Sequence, residues 1–152
     1  MTQQSAPATW QTTRVAPATA QPNAQAHHLL VRALTVVGLA GIALIHLEQL
    51  PDTWRESSGL GALFVLLVVA AALVAGALVH ADHTWLWQLS ALVALGPIAG
   101  YLLTRSISVP FDHDDVGNWL EPAVLVALFI EVSVLALCGY VRVTARANSS
   151  QR

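Results

Sequence analysis

Asp112, His113, Asp114 and Asp115 follow one another in a single polar stretch. Carboxylate oxygens and an imidazole placed so close together are a donor set for a divalent cation such as zinc or copper. His46, about one turn inside the end of an apolar segment, could add a further ligand from the rim. The stretch also opens like a calcium loop, with Asp112, Asp114 and Gly117 at its first, third and sixth positions. That match fails further on, because Val116 occupies a ligand position and Ala123 stands where the closing carboxylate belongs. The plainer use of these residues is a solvated, turn-forming loop. A third use has Arg105 pairing with one of the carboxylates and pinning the loop over the helices. No resident cofactor is expected, and a divalent ion is the one candidate.

Glu131 points to a different chemistry. It stands near the middle of an apolar segment, roughly 13–15 Å from either end at the helical rise. Ala123, Ala127, Glu131 and Cys138 recur at helical spacing, so the carboxyl shares a small-residue stripe expected to face other helices. An ionisable group at such depth is by default a functional hypothesis. No arginine or histidine is expected at its level, so the acid is expected to be neutral, since hydrocarbon disfavours the ion. Its expected hydrogen-bond acceptor is the Val93 carbonyl, which Pro97 leaves unpaired. Gly96 and Gly100 form a Gly-x-x-x-Gly step beside that kink and are expected to admit a close helix. Glu131 then serves as a structural link, a proton or ion relay, or a contact to a partner subunit.

These groups must be positioned by apolar rods. The 152-residue chain is 55% hydrophobic and only 11% charged, and all seven cationic side chains are arginine. Soluble domains carry roughly 25% charged residues, so a water-facing surface cannot be made from this inventory. Four apolar segments, about 29–50, 59–79, 85–103 and 122–141, each approach the ~20 residues that a helix needs to cross ~30 Å of hydrocarbon. Alternation of the membrane β-barrel kind is absent. The expected fold is all-α, a four-helix transmembrane bundle running up-down-up-down, because the connections are short. Residues 1–28, rich in Gln, Thr, Ala and Pro, read as a disordered cytoplasmic tail, and 143–152 as a short second tail. The transmembrane domain is 29–142.

Charge orients the bundle. Arg14, Arg32, Arg142, Arg146 and Arg152 fall on the side of the termini, against Arg55 and Arg105 on the other. The positive-inside rule then puts both termini in the cytoplasm and loops 51–58 and 104–121 outside, in a plasma membrane. Trp54, Trp85, Trp87 and Trp119 fall at segment ends, where indoles settle at headgroup depth. Glu48, Arg105 and Glu121 form a polar cluster on the outer rim. Glu121 precedes Pro122 and is expected to be the N-cap of the last helix, with Asn118 an alternative.

Many activities are excluded by composition. Without lysine there is no Walker A lysine, Schiff base or Ser-x-x-Lys dyad. No nucleophile elbow, His-Glu-x-x-His or dinucleotide fingerprint occurs. The net charge of −2 leaves no footprint for nucleic acid. His46 and His80 lie near opposite membrane faces, so they cannot share a haem. The segments GYLLTRSISVPFDHDDVGNWLEP and HLEQLPDTW resemble small four-transmembrane-helix integral membrane proteins of bacteria. In that group the third helix ends in a Gly-Tyr-x-x-x-Arg-like segment and an acidic loop leads into Trp-Leu-Glu-Pro. The resemblance covers about Leu29–Arg142 and implies the architecture, with no activity attached. Its partners are the bilayer and other membrane proteins or further copies of itself. The leading functional expectation is a non-enzymatic accessory or partner-binding subunit. The alternative is a small cation- or proton-handling protein using Glu131 and the outer Asp/His loop. A membrane-surface hydrolase using His46 or His113 comes third.

Overall fold

The computed structural model describes residues 22–107, 117 and 119–150, apart from the side chains of 22 and 24. It is all-helical: α1 spans Pro22–Glu56, α2 Ser58–His80, α3 Thr84–Ser106 and α4 Pro122–Ser149. At 1.5 Å per residue even α2 and α3 are about 34 Å long, sufficient for a hydrocarbon core of ~30 Å.

The helices outrun the apolar segments that seed them. α1 begins at Pro22 rather than near 29, so 22–28, expected to belong to the tail, are helical. A proline at the first helical position forfeits no backbone bond and already has helical φ. The same helix runs through Pro51 to Glu56, where the expected loop 51–58 shrinks to Ser57 alone. Asp52 and Arg55, three residues apart and paired at 2.7 Å, bridge neighbouring turns at that end of the helix. Ser57 has extended backbone, and its hydroxyl accepts from the Leu60 amide at 3.3 Å, capping α2. α4 likewise continues past 141 to Ser149. Residues 1–21, 108–116, 118, 151 and 152 lie outside the described part of the chain.

Sequential helices pack against one another, and α1 also packs on α4, closing an up-down-up-down bundle. α1 touches α3 across the middle, whereas α2 and α4 do not meet among the described residues. Each buried face follows helical spacing. On α1 it is Val31, Thr35, Leu39, Ile42 and His46; on α4 it is Ala127, Glu131, Val134 and Cys138. Ala123, expected on that face, is exposed.

Close approach occurs at different glycines from those expected. A β-carbon at Gly96 or Gly100 would meet nothing within 4 Å, so the Gly-x-x-x-Gly step of α3 admits no helix of this chain. The close contact is between α1 and α4, where a β-carbon at Gly38 would collide with Val134 and one at Gly41 would lie 3.5 Å from Ile130. The Gly-x-x-x-Gly rule specifies a face that can be approached closely; which face is used depends on where the polar groups must point. Here Glu131 lies on the face of α4 that packs on α1.

The outer surface of the bundle is unlike that of a water-soluble one. Phe129, Leu73 and Val37 are 74%, 69% and 68% exposed, while Thr35, His46, Ser90, Arg105 and Glu131 are buried. A surface of large apolar side chains, with the ionisable groups of the spans turned inward, is stable only where the surrounding solvent is lipid. All four helices are long and apolar enough to cross a membrane. The chain is a multi-pass membrane protein.

Candidate functional site

Thr35 and Ser90 are buried hydroxyls that fold back on their own helices, Thr35 to the Val31 carbonyl at 2.9 Å and Ser90 to the Leu86 carbonyl at 2.8 Å. Those bonds absorb each hydroxyl locally. His46 and Glu131 are different. His46 Nε2 lies 3.8 Å from Glu131 Oε1, and their side chains are 6% and 2% exposed. The expectation that Glu131 has no titratable neighbour at its level is thus overturned. The group that faces Glu131 Oε1 is an imidazole.

The reason is side-chain direction. Gly38 faces Val134 and Gly41 faces Ile130, so α1 and α4 are antiparallel and the level of Glu131 on α1 is near Gly41. His46 is five residues farther along α1, about 7.5 Å by the helical rise. A depth count on Cα positions therefore separates the two. Side chains, however, lean toward the N-terminus of their own helix. In antiparallel helices the lean of one opposes that of the other, so the two long side chains close the gap. His46 shows this lean directly, with Nδ1 2.9 Å from the Ile42 carbonyl one turn back.

That bond also fixes the imidazole chemistry. A carbonyl only accepts, so Nδ1 is the donor and carries a hydrogen. Nε2 is left facing Glu131, either as a lone pair or as a second N–H. One proton moved between Nε2 and Oε1 interconverts a neutral pair and an ion pair. The 3.8 Å separation exceeds hydrogen-bond length; an approach of less than about 1 Å brings it within range. Phe64 of α2 stands edge-on to the imidazole, with ring centroids 4.9 Å apart, and completes the apolar wall. Sequence inspection passes over Phe64, one apolar residue within an apolar segment.

A second polar group closes the bundle end where α3 finishes. Arg105 is 5% exposed, donates to Glu121 Oε2 at 3.3 Å and lies over the Tyr101 ring at 5.5 Å. The Tyr101 hydroxyl donates to the Trp119 carbonyl at 2.7 Å, and the Gly117 amide donates to the Arg105 carbonyl at 3.1 Å. Gly117 has φ +83°, a left-handed conformation that suits glycine and turns the chain back toward α3. Glu121 holds the N-cap position before Pro122, but its side chain makes no capping bond because Arg105 takes it. Glu48, expected in the same rim cluster, is exposed.

At the opposite end Arg32 donates to the Leu78 and Val79 carbonyls, satisfying the last turn of α2. Asp82 accepts from Trp87 Nε1 at 2.8 Å and lies 3.4 Å from His28 Nδ1. Trp87 lies in the first turn of α3, at the helix end where the sequence puts it, and its indole is buried against the bundle. Asp112, His113, Asp114 and Asp115 lie outside the described residues, as does Asn118. Among the described residues no group of three or more His, Cys, Asp or Glu is arranged to hold a metal.

The fold and site define a four-span helical membrane protein with a histidine–carboxylate pair inside the bundle. No protein-family model, curated protein or solved structure matches the chain.

Proposed function

We propose that this is a small proton-handling membrane protein in which His46 and Glu131 take up and release a proton inside the bundle. The observation that carries the reading is their 3.8 Å approach within an apolar interior. Ion-carrying groups within membranes are rare, inward-facing and paired, and they mark proton and ion pathways. His46 sits nearer the α1–α2 turn than the termini, so exchange is from that side. On the other side Thr35 and Ser90 have their hydroxyls bonded to their own helices. Passage across the whole bilayer then needs a rearrangement or a second copy.

In this reading the membrane is a bacterial plasma membrane with both termini cytoplasmic. Residues 112–115, acidic by sequence, then belong to the outer side. The test is proton flux in proteoliposomes holding a pH-sensitive dye. Wild-type protein should dissipate an imposed pH gradient, and Glu131→Gln should abolish the flux while keeping helical content and monodispersity. Equal flux from wild type and Glu131→Gln, or no flux from wild type above empty vesicles, overturns the reading.

One observation favours the accessory-subunit reading. Gly96 and Gly100 are exposed on α3 with open space before them, a face that a partner helix fits. In that case Gly100→Leu releases the partner and Glu131→Gln does not.

A further inference from the structure

A cleft of about 740 Å³ lies between α3 and α4 at the end that carries the termini. Its size falls within the ~300–1,000 Å³ range of ligand pockets. Ala91, Cys138 and Gly139 are among the residues that line its apolar part. A β-carbon at Gly139 would meet nothing within 4 Å, so the cleft is open beside it. Arg142 and Arg146, one turn apart on α4, line its polar part.

Depth gives the two parts their meaning. α4 has 28 residues, about 42 Å of helix. A hydrocarbon core of ~30 Å entered at Pro122 is left after ~20 residues, near Arg142. Arg142 and Arg146 therefore stand at headgroup depth, and the apolar part of the cleft lies within the leaflet. Neither arginine has a carboxylate within 4 Å among the described residues. Asp82, the acid on the facing wall, is already engaged by Trp87 Nε1 and His28. Two unmatched guanidinium groups above a dry slot complement one molecular shape: a phosphate carried on an acyl chain.

We infer that this cleft binds one anionic glycerophospholipid of the surrounding leaflet, its phosphate held by Arg142 and Arg146 and one acyl chain laid along Ala91, Cys138 and Gly139. Arginine rather than lysine suits the role, since its planar fork meets phosphate oxygens in pairs. The cleft shares no lining residue with the His46–Glu131 pair.

The test is native mass spectrometry of the full chain released from nanodiscs of phosphatidylglycerol mixed with phosphatidylcholine. Wild type should retain one phosphatidylglycerol in preference to phosphatidylcholine. Arg142→Gln with Arg146→Gln should weaken that retention about thirtyfold, the effect of two interfacial cations. Gly139→Leu, which fills the slot and leaves both arginines, should lower retention of both lipids. Circular dichroism of each variant establishes that its helices persist. Equal retention of the two lipids by wild type, or unchanged preference in the folded double variant, overturns the inference. So does equal retention of glycerol phosphate lacking acyl chains, which would make the site one for a free phosphate.

Discussion

Gly38 of α1 lies directly against Val134 of α4, with no room for a β-carbon between them. This contact sets the distance between the two helices that carry His46 and Glu131. Gly38→Val forces the helices apart and is expected to cost about 1–3 kcal/mol, as overpacking does elsewhere. Val134→Ala in the same chain should restore part of the loss. Gly100→Val, whose side chain enters open space, should alter monomer stability by less than about 1 kcal/mol. Unfolding in mixed micelles with increasing sodium dodecyl sulfate ranks the variants, and equal loss at Gly38 and Gly100 would show that the α1–α4 contact is not limiting.

The His46–Glu131 pair should register as an energetic coupling. Interhelical polar contacts in membranes average ~0.6 kcal/mol and reach ~1.7. A double-mutant cycle with His46→Phe and Glu131→Leu is expected to return a coupling in that range. A coupling indistinguishable from zero would mean that the groups share a region of the bundle without interacting.

Arg105 and Glu121 should be unequal partners. The Glu121 side chain is 45% exposed and that of Arg105 5%, so water screens the acid and leaves the cation dependent on protein contacts. Glu121→Gln is expected to cost no more than about 1 kcal/mol. Arg105→Met should cost more, because the Tyr101 ring contact is lost as well. Arg105→Lys should not rescue it, lacking the planar fork. The same unfolding assay separates the three variants, and a larger loss from Glu121→Gln than from Arg105→Met would reverse the assignment.

Sidedness is directly measurable. Cys138 is the only cysteine and is buried, so Cys138→Ala provides a background for single-cysteine labelling. With cytoplasmic termini, Glu56→Cys should react with an impermeant maleimide on intact cells. Ser149→Cys should react only after permeabilisation. The opposite pattern would invert the topology and place the acidic segment 112–115 in the cytoplasm.

Segment lengths and the scarcity of charge were enough to establish four spans in an apolar solvent, because the bilayer fixes the length an apolar helix needs and the cost of each charge is local. That Glu131 faces inward was also legible, since helical periodicity and the cost of an acid in lipid both act locally along α4. Arg105 and Glu121 were expected in one rim cluster and do pair, whereas the expected pairing of Arg105 with Asp112, Asp114 or Asp115 falls outside the described residues. What could not be read was the partner of Glu131. It depends on the antiparallel register of α1 and α4, on Gly38 rather than Gly100 taking the close contact, and on two side chains leaning toward each other. The cleft beneath Arg142 and Arg146 is equally a matter of which small residues end up facing one another. Composition and periodicity determine what each helix buries. Only the packing of one helix on another determines what the buried groups meet.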